Sequence, residues 1–159
     1  MSTIEAPTEP VRKSVRVACS AEDAFRLFVE DFATWWPVER HSRVAHEQYE
    51  PGVTLERVVF EARAGGRVYE VTSAGVEGSW AEVLVYDPPR QLVLAWKPND
   101  RPEPTTEVDV RFEPDGEGTI VNLEHRGWER LGERAEQARA GYEQGWSLPL
   151  ERFAAAAGR

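Results

Sequence analysis

The sequence predicts an α+β fold: a curved antiparallel sheet of about six to seven strands wrapped around one long C-terminal helix, with two short helices after the first strand. Three observations lead there. Between residues 54 and 125, apolar and polar side chains alternate along runs separated by Gly- and Pro-containing turns, the period-two pattern of antiparallel strands with one wet face. Beyond Gly127 the composition turns to Glu, Arg, Ala and Gln, and apolar residues recur every three to four positions, as along a helix. A length of 159 residues suits one such unit.

Residues 1–10, with Pro7 and Pro10 among polar neighbours, read as a disordered lead-in, leaving 11–159 as a single domain. Val11, Lys13, Val15 and Val17 alternate with Arg12, Ser14 and Arg16 in a strand running to Ala18. Ser20 then caps a helix: its hydroxyl can accept from the Asp23 amide, and Glu22 and Asp23 suit the positive end of the dipole. Ala24, Phe25, Phe28 and Phe32 form an apolar stripe, and Pro37 ends the segment after Trp35 and Trp36. Residues 38–52 lack periodicity and hold His41, His46 and Tyr49 before the Pro51-Gly52 turn.

Strands follow in pairs. Thr54–Ala62 and Arg67–Thr72 flank Ala64-Gly65-Gly66, and Val76–Tyr86 and Gln91–Lys97 flank Asp87-Pro88-Pro89-Arg90. Thr106, Val108, Val110 and Phe112 share a face opposite Glu107, Asp109, Arg111 and Glu113. Across Asp115-Gly116-Glu117-Gly118, Thr119, Val121, Leu123 and His125 share a face opposite Ile120, Asn122 and Glu124. In the last segment Leu131, Ala135, Ala138, Tyr142, Trp146, Leu150 and Phe153 keep helical spacing; Gly145 and Pro149 predict a kink.

Composition narrows the function. Lys and Arg total 19 against 28 Asp and Glu, a formal charge of −9 that repels nucleic-acid phosphates. No apolar run approaches the ~18 residues of a membrane span. The lone Cys19 excludes an intramolecular disulfide and a thiolate metal cluster. The first ten residues lack a basic n-region and an apolar h-region, so a cytoplasmic location is expected. No phosphate-cradling loop, dinucleotide fingerprint or Ser-His-Asp pattern occurs, and no cofactor is expected.

Six tryptophans in a chain of this size pose the central question, because they either fill a core or line a cavity. A sheet gripping a single helix leaves space between them, and Phe28, Phe32, Trp35, Trp36, Trp80, Trp96, Tyr142 and Trp146 are the candidates to line it, with indole N–H groups as orienting donors. Trp128, between Gly127 and Glu129, reads as a surface or hinge residue. His125 shares the inward face with Val121 and Leu123 and is the polar candidate: a ligand anchor, an acid or base, or a strand-end histidine satisfied by backbone. His41 and His46 lack the spacing of a helical metal pair, so no metal site is expected and the 38–50 loop is read as the cavity mouth. An inward carboxylate would be a further candidate, and the hairpin leaves Glu61 and Glu70 both open.

Several segments carry a family resemblance. They are Ala24-Phe25-Arg26-Leu27-Phe28 followed by Trp35-Trp36-Pro37, then Gly65-Gly66-Arg67-Val68-Tyr69-Glu70 and Trp80-Ala81-Glu82-Val83-Leu84. Asp87-Pro88-Pro89-Arg90 leading to Ala95-Trp96, Gly118-Thr119 through Glu124-His125, and Gly145-Trp146 complete the set. In this order they resemble the SRPBCC (START-like, helix-grip) superfamily, in its branch of activators of the heat-shock-protein-90 ATPase, over roughly residues 11–157. That resemblance implies the helix-grip fold and a choice of functions, since the superfamily holds lipid and hormone carriers, polyketide cyclases and co-chaperone modules. The expected function is binding of a small hydrophobic or aromatic molecule between sheet and C-terminal helix, by a monomer or homodimer. The alternatives are a cyclase- or hydrolase-type enzyme using His125, and a co-chaperone-like interaction module.

Overall fold

The computed structural model describes residues 9–37, 50–96 and 105–158. Seven strands form one antiparallel sheet in the order β1-β7-β6-β5-β4-β3-β2. They are β1 (Val11–Val17), β2 (Leu55–Phe60), β3 (Arg67–Thr72), β4 (Glu77–Asp87), β5 (Gln91–Trp96), β6 (Thr106–Asp115) and β7 (Gly118–Arg126). Helices α1 (Ala21–Val29) and α2 (Phe32–Trp35) follow β1, and α3 (Ala135–Gly145) and α4 (Ser147–Ala156) close the chain after a 3₁₀ segment at Trp128–Arg134. The expected strand order and turns are all present, with ends displaced by one or two residues. Among the described residues no helix is long and apolar enough to cross a membrane.

The sheet curls because one half of it is irregular. Register shifts interrupt β2/β3 between Leu55 and Arg57, β3/β4 between Val68 and Tyr69, and β4/β5 between Val83 and Val85. Bulges of this kind bend a strand and increase its twist. The ladders β5/β6, β6/β7 and β1/β7 run in unbroken register, so the fold joins a bent half to a regular half. Gly66 makes the β2–β3 hairpin possible, since a Cβ there would lie 2.5 Å from the Glu61 carbonyl oxygen.

The concave face holds the core. Ser20 caps α1 as its spacing predicts, accepting from the Asp23 amide at 3.1 Å, and the buried stripe Ala24, Phe25, Phe28 turns inward. Along β6, Thr106, Val108, Val110 and Phe112 are buried, and along β7 Thr119, Val121, Leu123 and His125. α4 packs on α2 and on β1, which brings the C-terminal helix across the mouth of the curl. The bend expected near Gly145–Pro149 falls at Trp146, which joins α3 to α4 with φ −76° and ψ −14°. Pro149 supplies no amide for the helical ladder there.

The outer face is drier than its pattern predicts. Asp109 is only 3% exposed although it lies on the polar side of β6. Long side chains lie over it: Arg126 donates to its carboxylate at 2.8 Å and Gln91 at 3.0 Å, with Arg111 at 3.5 Å. Desolvation alone would raise its pKa, but these donors outweigh it and hold the group below the ordinary carboxylate value.

Candidate functional site

Aromatic rings from all four helices, the 3₁₀ segment and several strands fill the space between sheet and helices, in three connected groups. Phe28 of α1 packs against Trp35 of α2 at 4.9 Å, Phe153 of α4 at 5.4 Å and Phe112 of β6 at 5.8 Å, edge-on or tilted throughout. Phe28 is 2% exposed and Trp35 2%, and the Trp35 indole donates to the Leu27 carbonyl at 3.0 Å. These two line a packed core beneath α1 and α2.

The second group centres on Trp36, the residue that ends α2. Phe32 stacks on it at 5.0 Å and 20°, and the indoles of Trp80, Trp96 and Trp146 stand 6.0, 5.9 and 5.8 Å from it. Four tryptophans from four separate elements, none near another in sequence except through the fold, therefore meet at one point. All four are buried, Trp36 and Trp96 at 6% and 7% exposure and Trp80 and Trp146 at 3% each. Trp36 and Trp96 sit where the chain leaves regular structure, at the ends of α2 and β5. Residues 38–49, including His41, His46 and Tyr49, and Lys97 lie outside the described residues, and so does most of the expected mouth.

Glu70 belongs to this group. It lies on β3 with the same parity as the core residue Val68, is 0% exposed, and accepts from the Trp80 indole at 2.7 Å. Glu61 instead closes the hairpin, accepting from the Arg67 amide at 2.8 Å. The choice between the two carboxylates is thus settled as Glu70 inward.

The third group surrounds His125. Trp146 donates from its indole to Nδ1 at 3.0 Å. Because an indole N–H can only donate, the imidazole proton sits on Nε2, where Thr106 Oγ1 accepts it at 2.7 Å. Burial pushes the His125 pKa from 6.5 down to about 3, so the ring is neutral at physiological pH. Trp128, expected at the surface, is 0% exposed. Gly127 adopts the left-handed φ of 92° and turns the chain back, so the Trp128 ring lies 4.3 Å from the imidazole and donates to the His125 carbonyl at 2.9 Å. Tyr142 lies 4.7 Å away and accepts from Trp96 at 2.9 Å; burial raises its phenol pKa, keeping the hydroxyl protonated.

Two expectations change. Five of the six indole N–H groups, those of Trp35, Trp80, Trp96, Trp128 and Trp146, donate to protein acceptors and are not directed at a ligand. Thr106 and Trp128 join the cluster without having been among the candidates, and Glu70 joins it from a choice left open with Glu61. Strand parity carried a signal for Thr106; nothing local marked Trp128. Elsewhere, a shallow groove of about 430 Å³ runs over the outer face past Arg12, Arg111, Asn122 and Glu124, where opposite charges answer one another. Among the described residues no group of three His, Cys, Asp or Glu side chains could hold a metal ion.

A curled antiparallel sheet gripping a bent C-terminal helix around an aromatic interior defines an SRPBCC, or START-like helix-grip, domain. The model of the activator of Hsp90 ATPase homolog 1-like proteins matches residues 18–158, and the chain belongs to that family. Among solved structures it is similar to the anthrahydroquino-γ-pyrone synthase Txn09, solved as a complex, with 32% identity, a TM-score of 0.61, and 92% of this chain and 95% of that one covered. It is also similar to the self-sacrificing resistance protein CalC from Micromonospora echinospora, at 29% identity and a TM-score of 0.68 over 95% of each chain. The Aha1 dimer from Colwellia psychrerythraea shares the fold alone, at 13% identity and a TM-score of 0.63 over 93% of this chain and 95% of that one. No match was found among curated proteins.

Proposed function

We propose that this chain, through residues 11–159 and in the cytoplasm, binds a small hydrophobic or aromatic molecule between the sheet and the C-terminal helix. The observation that carries the reading is the convergence of Trp36, Trp80, Trp96 and Trp146 from four elements. Packing alone would be served by Leu and Val; flat rings held face and edge to one another favour a flat guest. The synthase at 32% identity, solved as a complex, supports a small-molecule role for this aromatic interior.

His125 enters this reading as the group that orients Trp146, not as an acid or base. Both its nitrogens are engaged within the protein, and a pKa of about 3 lies far from the range in which a general base is efficient at neutral pH. The enzyme alternative therefore needs another proton-transfer group.

The test is native mass spectrometry of the purified protein against its denatured mass, alongside tryptophan-fluorescence titrations with a library of small aromatic compounds. A co-purifying mass, or saturable quenching at micromolar concentration, supports the proposal. A bare mass with no compound perturbing the indoles overturns it, and the interaction-module reading suggested by the family description then leads.

A further inference from the structure

We propose that the free edge of β2 pairs with the β2 edge of a second copy of this chain, joining two sheets across a two-fold axis at Val59.

β2 lies at one end of the sheet, with β3 on one side and, among the described residues, no strand on the other. Glu61, just past the strand, donates its amide to the Arg67 carbonyl at 2.9 Å, so its backbone faces β3. Antiparallel strands alternate in this respect. Val59, paired with Tyr69, faces β3 as well, and Val58 and Phe60 turn their N–H and C=O groups to the free edge. The run Val58-Val59-Phe60 is half-buried and holds no charge, proline or bulge, the devices that keep an edge from pairing. Phe32 supports it from the concave side, ring to ring with Phe60 at 5.5 Å.

The opposite edge is protected. β1 carries Arg12, Lys13 and Arg16, and α3 and α4 pack on it. Arg139 of α3 donates to the Glu9 and Pro10 carbonyls at 2.6 and 3.2 Å, and Glu143 meets Lys13 at 2.7 Å. With that edge covered, pairing through β2 closes at two copies instead of propagating.

The register follows from the side chains. Two copies related by a two-fold axis keep their concave faces together only where residues of equal parity meet. An axis at Val59 sets Val58 against Phe60 in both directions, so every N–H and C=O that these residues turn outward finds a partner. It also brings Arg57 opposite Glu61, a cation against an anion on the outer face. An axis at Val58 would set Glu56 against Phe60, and an axis at Phe60 would set Arg57 against Arg63. Within one chain Arg57 lies 3.0 Å from Glu56 and Glu61 3.6 Å from Arg63, surface pairs that cost little to exchange.

The experiment is sedimentation velocity at about 1 to 100 µM on the wild type, Val59→Lys, Arg57→Glu and Glu61→Lys. The wild type is expected to move from the mass of one chain to twice that mass across the range. Val59→Lys sets two cations face to face on the axis, and Arg57→Glu and Glu61→Lys each set like charges opposite one another. Each should weaken the dimer by about tenfold or more. An equimolar mixture of Arg57→Glu and Glu61→Lys should recover it to within about threefold of the wild type, because opposite charges then face each other at both positions. Loss of folding in a variant cannot produce that recovery. A wild type that stays monomeric throughout overturns the proposal. So does a dimer that the three variants leave intact, or a mixture that stays monomeric.

Discussion

The two ends of the aromatic interior handle buried polarity differently. Around His125, hydrogen bonds close on themselves: Trp146 donates to Nδ1, Nε2 donates to Thr106, and Trp128 donates to the backbone carbonyl of the same residue. Around Glu70, a buried carboxyl group accepts from the Trp80 indole, whose ring stands 6.0 Å from that of Trp36 at the end of α2. A buried polar group whose capacity is matched one donor to one acceptor works as a fastener. The Glu70 end instead sets its rings beside Trp36 and Trp96, where the chain leaves regular structure, and that is where the ligand-binding reading places the guest.

The comparison breaks or sharpens under substitution. The largest effect is expected at the closed end. His125→Leu removes the acceptor of the buried Trp146 N–H and the donor to Thr106, and should cost about 2–4 kcal/mol in urea unfolding. Retention of full stability would mean that the His125 network is incidental.

Acid should act on the same residue. Its folded pKa of about 3 lies below the unfolded value near 6.5, so the unfolded chain takes up the proton first. That contribution is complete above pH 6.5 and is lost as pH falls toward 3, by up to about 1.4 kcal/mol per pH unit. Unfolding midpoints measured between pH 7 and 5 should fall in the wild type and stay flatter in His125→Gln, since carboxylates titrate lower.

At the other end, Trp80→Phe keeps most of the ring area and deletes the donor to Glu70. It should cost about 1–2 kcal/mol in the same assay and loosen the binding of any aromatic guest. The smallest effect belongs to the outer face. Arg12 meets Glu124 at 3.3 Å with its side chain 66% exposed, and Arg12→Ala should change stability by less than about 0.5 kcal/mol.

Much of this architecture was legible in the sequence because it follows from local periodicity. Alternation along residues 106–125 gave the strands and their faces, Ser20 marked the start of α1, and Gly145 with Pro149 marked the bend. The inward set Trp36, Trp80, Trp96, His125 and Trp146 was legible too, since parity and helical spacing decide direction. What escaped depends on contacts between distant residues. Thr106 and His125 lie 19 positions apart, Trp146 and His125 21, and Trp96 and Tyr142 46, so no window of sequence shows that these groups satisfy one another. Trp128 was misread because its burial depends on the single left-handed residue Gly127, and Asp109 because Arg126 and Gln91 reach over it from neighbouring strands. Glu70 stayed undecided against Glu61 until the β2–β3 register was known.

The six indole N–H groups give a separate signal for each region, and ¹⁵N-resolved NMR of the tryptophan side chains during a 2-naphthol titration tests the account most directly. The indole signals of Trp36, Trp80 and Trp96 are expected to move together and saturate, while those of Trp35 and Trp128 stay in place. Signals that all stay still, or movement confined to Trp35 and Trp128, would contradict a ligand site at the Glu70 end.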